Sequence, residues 1–149
     1  MIGDPVDVDM VQFIANAGQT ISFDVDRPGG NRDSAIRLFD SNGNELAFND
    51  NGAAPGEAVD RDSFLQYTFT SAGTYYLGVS GAGNAAYNPI TGTGDSRGSN
   101  GAYQLVISAT SVSIDDSYED NDSMTDAAGL GIITGTLTLP DLQLRDSAD

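Results

Sequence analysis

The stretch Thr20-Ile21-Ser22-Phe23-Asp24-Val25-Asp26 decides the fold class. Ile21, Phe23 and Val25 fall on one face of an extended chain, and Ser22, Asp24 and Asp26 fall on the other. A period of two is the signature of a strand with one face buried and one in water. The same texture recurs outward in both directions. Val8 to Ile14 alternates around Val11 and Phe13, and Ala102 to Ser108 sets Tyr103, Leu105 and Ile107 against Gln104, Val106 and Ser108. Ala35 to Phe39 and Leu46 to Phe48 flank Asp40-Ser41-Asn42-Gly43-Asn44, whose Asn-Gly predicts a hairpin turn. Phe64 to Phe69 and Tyr75 to Val79 flank Thr70-Ser71-Ala72-Gly73, a second predicted hairpin, and Thr134 to Leu139 reads as one more strand. No amphipathic helical period separates these runs. The expected fold is all-β, an antiparallel, jelly-roll-like β-sandwich of about eight strands. Two long loops interrupt it, an acidic one from Asn49 to Arg61 and a Gly-rich one from Gly81 to Asn100.

Composition narrows the chemistry. The 149 residues carry 6 cationic side chains against 22 acidic ones, a net charge of −16, with no His, Cys or Trp. All the cations are arginine, and all but three of the acids are aspartate. A Ser-His-Asp or Cys-His nucleophile, a zinc site of the usual kind and a P-loop lysine are therefore excluded. The negative charge repels phosphate backbones, so no nucleic-acid partner is expected, and no apolar run approaches the length of a membrane span. Paired carboxylates are inevitable among so many acids, and Ser and Thr have no base beside them, so the chain reads as non-enzymatic.

The texture changes near Ser111. Residues 111–117 read as a linker, followed by Tyr118-Glu119-Asp120-Asn121-Asp122-Ser123, with Asp122 or Ser123 positioned to cap a short helical turn through Ala128. Asp40-Ser41-Asn42-Gly43-Asn44 and Asn49-Asp50-Asn51-Gly52, with Asp60 and Asp62 near, form a second acidic patch. The first piece opens like a calcium loop, but position 51, where that loop needs Glu, is Asn. Asx-turn chemistry explains it better. Tyr87, inside the Gly-rich loop, is a candidate aromatic platform for a ligand, with a packed lid over the sandwich as the alternative. Tyr67, Tyr75 and Tyr103 sit at strand positions.

An ordered set of phrases resembles a known family. Asp7-Val8-Asp9-Met10-Val11-Gln12-Phe13, Ala17-Gly18-Gln19-Thr20-Ile21, Leu38-Phe39-Asp40-Ser41-Asn42-Gly43, Ala72-Gly73-Thr74-Tyr75-Tyr76-Leu77-Gly78-Val79 and Gly101-Ala102-Tyr103-Gln104-Leu105 are similar to the bacterial pre-peptidase C-terminal domain. That domain is a secreted β-sandwich related to the collagen-binding domains of clostridial collagenases. The family's opening signature, Tyr-Glu-x-Asn-Asp, stands here as Tyr118-Glu119-Asp120-Asn121-Asp122, after the sandwich rather than before it. Asp146-Ser147-Ala148-Asp149 then repeats the Asp-x-x-Asp spacing of Asp4-Pro5-Val6-Asp7. Residues 1–110 accordingly read as a sandwich lacking its opening segment, and 118–149 as the opening segment of a following repeat. Three arrangements stay open for that segment: it is disordered, it folds back on its own sandwich, or it donates Thr134, Gly135, Thr136, Leu137, Thr138 and Leu139 to a neighbouring subunit.

The resemblance also implies calcium. Hard cations take oxygen ligands and need no His or Cys. Glu119, Asn121 and Asp122 would share an ion with Asp4 and Asp7, or with Asp146 and Asp149, and Asp116 is a weaker member of the set. The expected function is a non-catalytic, calcium-stabilised module of an extracellular or cell-surface protein, for adhesion or for binding a protein or polysaccharide polymer. The alternative is a filament subunit that polymerises head-to-tail through its C-terminal strand.

Overall fold

The computed structural model of the chain describes residues 6–27, 33–58, 60–109, 123–125 and 127–143. Among the described residues nine strands follow one another: β1 (Val8–Ala15), β2 (Thr20–Asp26), β3 (Ser34–Asp40), β4 (Glu45–Asn49), β5 (Ser63–Thr68), β6 (Gly73–Gly81), β7 (Ala102–Ser108), β8 (Ala128–Ile132) and β9 (Thr136–Gln143). They form a sandwich of two sheets, ordered β4-β3-β6-β1-β8 and β5-β2-β7-β9. The described residues contain no helix. Among the described residues every strand pairing is antiparallel except that of β1 with β8.

The alternating apolar residues meet where the two sheets face each other. Phe13 from β1, Phe23 from β2 and Phe69 just after β5 are fully buried, and the Phe13 ring centroid lies 5.3 Å from Phe23 and 5.7 Å from Phe69. Tyr75 closes this cluster, 4.4 Å from Phe69, and its hydroxyl donates to the Ser71 carbonyl at 2.8 Å. A buried aromatic set of this kind fixes the spacing and register of both sheets through area burial and preferred ring geometry.

The loop after β3 follows its predicted chemistry. Asp40 accepts hydrogen bonds from the backbone N–H groups of Asn42 and Asn44 at 2.8 and 2.9 Å, and from the Asn44 side chain at 2.9 Å. Those bonds, the Asn44 side chain first, hold the Asp40 carboxyl below its ordinary pKa. Gly43 takes φ of 79°, the left-handed conformation the turn requires.

Two expectations are corrected. Thr70-Ser71-Ala72-Gly73 does not close a hairpin: β5 pairs with β2 in one sheet and β6 pairs with β1 and β3 in the other. The turn instead carries the chain between layers, because Phe69 must enter the core immediately before it. The helical turn expected through Ala128 is a turn at residues 123–125 and then strand β8. The open edge of β1 supplies backbone partners that a short isolated helical turn lacks, and pairing runs Val11↔Ala128, Gln12↔Gly129 and Ile14↔Ile132. The irregular register coincides with Gly131 at φ 63°.

Strands β8 and β9 complete the sandwich, each at one edge of its sheet. In β9, Leu137 and Leu139 are buried opposite Ile107 and Leu105, while Thr136 and Thr138 face solvent. Leu130 of β8 and Ile133, which follows it, are fully buried in the same core. The Ile133 carbonyl accepts from the Gln19 side chain at 2.7 Å.

Candidate functional site

One end of the sandwich gathers polar groups inside the fold. Asp9 has the same parity in β1 as Val11 and Phe13, so its side chain points between the sheets. It accepts a hydrogen bond from the Tyr103 hydroxyl of β7 at 2.7 Å, tying one sheet to the other. Asp7 and Asp9 are both buried, at 2% and 7% exposure. Burial, followed by the charge of Asp9, holds the Tyr103 phenol well above its ordinary pKa. Asn84, itself fully buried, donates to the Val6 carbonyl at 2.8 Å and accepts from Ser96 N–H at 2.7 Å, locking the Gly-rich loop to the lead-in of β1. Of the residues expected to hold calcium, Asp7 is the one placed here. Asp4, Asp116, Glu119, Asn121, Asp122, Asp146 and Asp149 lie outside the described residues.

The Tyr87 platform is also corrected. Its ring is 1% exposed, packed over the outer face of the five-stranded sheet against Phe39 at 6.1 Å. Arg37 is layered against both rings, 4.5 Å from Tyr87 and 4.7 Å from Phe39, while donating to the Tyr87 carbonyl at 2.7 Å and to Glu45 at 2.6 Å. The reason Tyr87 fits so closely is Gly78: a Cβ there would stand 2.0 Å from the tyrosine hydroxyl. Val8, Met10, Phe39, Tyr87 and Met124 thus make a second, smaller core. Its cover is stitched by Met124 N–H donating to the Pro89 carbonyl at 2.7 Å. Tyr87 is a lid, and no exposed ring remains there to stack on a ligand.

A third feature escaped the sequence reading. Asp24 and Asp26 of β2 and Glu57 of the acidic loop place carboxylate oxygens within 4.8 Å of one another. The i, i+2 spacing of the two aspartates on one strand face was legible; the approach of Glu57 from a loop was not. Burial, with the charges of Asp26, Glu57, Asp62 and Asp60 added, raises the Asp24 pKa from 3.8 to about 6. The folded protein therefore holds this proton to about pH 6, whereas the unfolded chain releases it near 3.8, so stability falls as pH rises through that window. Asp24→Asn is expected to raise stability at pH 7 by about 1 kcal/mol, solvent screening included, with the gain vanishing below pH 4. Denaturant melts of both proteins across that range check it.

Fold and sites together define a two-sheet β-sandwich module whose conspicuous polar features are carboxylates rather than a nucleophile. Within that class, the chain belongs to the bacterial pre-peptidase C-terminal domain family, which it matches across residues 7–81. It is 37% identical over 83 residues to a probable subtilase-type serine protease of Deinococcus radiodurans, an alignment covering 54% of this chain and 11% of that protein. The chain thus spans about a tenth of the length of this relative. No solved structure matches it. No helix among the described residues is long and apolar enough to cross a membrane.

Proposed function

We propose that the chain is a non-catalytic accessory module of an exported protein, working outside the cell or at its surface by binding an extracellular polymer. The observation that carries this reading is the pre-peptidase domain match together with a relative that is a protease many times longer. A composition without His, Cys or Lys leaves the module no common nucleophile–base pair of its own. Co-sedimentation of the purified chain with insoluble gelatin and with insoluble xylan tests it. Retention on one of them is expected, and a chain left in the supernatant of both would remove the binding role.

Calcium belongs to the same reading. The oxygen-rich set of Asp4, Asp7, Glu119, Asn121 and Asp122 suits a hard cation, and the buried carboxylate of Asp7 is consistent with a place beside one. Binding to the folded state alone raises the melting temperature by mass action. Melting at pH 7 in millimolar calcium is expected several degrees above melting in EGTA. Coincident curves would exclude calcium stabilisation.

A second reading, strand donation between subunits, is favoured by the position of β8 and β9. They occupy one edge of each sheet and pair with other strands rather than with each other. An element with that placement is exchangeable between copies. Light scattering on a concentration series is expected to show head-to-tail oligomers, and a strictly monomeric series would rule the filament out.

A further inference from the structure

Where the chain enters and leaves the sandwich decides how the fold bears load. The Tyr103 hydroxyl of β7 reaches Asp9 of β1 at 2.7 Å. Four residues on, Phe13 of β1 lies 5.3 Å from Phe23, the register partner of Ile107 in β7. β1 and β7 therefore run in the same direction in their two sheets. β9 is antiparallel to β7, with Thr136 opposite Ser108 at its start and Gln143 opposite Ala102 at its end. The start of β1 and the end of β9 thus lie at the same end of the sandwich, one in each sheet.

Tension between the chain before β1 and the chain after β9 consequently pulls across these strands, not along them. The ladder bonds of an antiparallel pair lie perpendicular to the strands, so such a pull loads them one pair at a time. A pull along the strands would load the whole ladder together. The two ends are held differently. β1 is paired with β6 over its full length and with β8, while Tyr103 and Asn84 tie down Asp9 and the Val6 carbonyl at its start. β9 has one neighbour among the described residues, and its register with β7 is irregular between Tyr103 and Leu105, beside the loaded end. We propose that β9 is a tension-released strap, which load peels from β7 starting at Gln143. Its release removes Leu139 and Leu137 from beside Leu105 and Ile107 and bares the edge of β7 to another strand. This rests on the reading of the chain as a module of a longer extracellular protein, whose flanking parts transmit the load. It also supplies the event that opens an edge for strand exchange.

Because the chain has no native Cys, introduced cysteines can carry the handles of an optical trap. Two versions of the whole chain are pulled, Val6→Cys with Gln143→Cys and Ala17→Cys with Gln143→Cys. Ala17 lies in the exposed turn after β1, at the opposite end of the sandwich, so the second pair loads β9 lengthwise. In the first version a small early transition is expected, freeing the 8 residues of β9, about 29 Å of chain, before the rest unfolds. In the second version that transition should be missing, and first yielding should need several times the force. A disulfide between Val106→Cys and Thr138→Cys, which are register partners, should shorten the early transition in a chain held by tags at its two ends. Equal first-yield forces in the two versions would overturn the strap. So would loss of the whole fold at once in the first version, or an early transition that the disulfide leaves unchanged. Sedimentation reads the wider function separately. Retention on a polymer without the early transition sinks the strap alone, and the early transition without retention on either polymer sinks the accessory role alone.

Discussion

Truncation after Ala109 is expected to abolish cooperative unfolding. The missing part would include Leu130, Ile133, Leu137 and Leu139, all buried in the main core. Burying one such side chain stabilises by about 1.5–3 kcal/mol, so the four together contribute about 6–12 kcal/mol. Whole domains of this size are stable by about 5–15 kcal/mol, so little or nothing would remain. Truncation also exposes the backbone of β7 along its pairing with β9 and of β1 along its pairing with β8. The truncated chain should show no sharp thermal transition and should bind a hydrophobic dye. A sharp melt near that of the intact chain would mean that the two strands add nothing to the fold.

The second large effect concerns Tyr87. Tyr87→Ala should cost about 3–5 kcal/mol, the range for deleting a buried aromatic ring whose surroundings collapse only in part. It would also strip Arg37 of one of the two rings it packs against. Tyr87→Phe should behave oppositely. The Tyr87 hydroxyl is buried with no partner at hydrogen-bond geometry among the described residues, and burial, only partly offset by the nearby Arg37, holds its pKa far above the usual range. Removing it relieves a desolvated polar atom, and a gain of up to about 1 kcal/mol is expected. Equilibrium urea unfolding of the two variants measures both. Equal losses in the two would show that the hydroxyl, not the ring, matters at this position.

These residues also show how far sequence reading reaches. Thr20–Asp26 and Ala102–Ser108 are strands with the bounds that their alternation predicts, since a strand with one wet face writes its period into the sequence. The Asp40 turn was equally legible, because its hydrogen bonds run between residues at most four apart. Strand β8 was not. Ala128-Gly129-Leu130-Gly131-Ile132 has little intrinsic strand preference, and it is extended because the edge of β1 offers it partners. Tyr87 is a similar case. Its loop is rich in glycine and polar residues, and only the bare backbone of Gly78 beneath it makes the burial possible. Of the sites, the aspartates on one face of β2 were visible as a pattern, whereas Glu57 acquires its surroundings from a segment distant in the chain.

The parallel pairing of β1 with β8 has a consequence in time. The first strand finds one of its two neighbours only when the eighth has been made, and the four-stranded sheet gains its last edge later still. Pairings between such distant parts of a chain make folding slow, roughly milliseconds to seconds for β-sandwiches. During synthesis from the N-terminus, the core stays open along both unfinished edges until the final strands emerge. The core therefore closes only after β8 and β9 are available to pair with β1 and β7.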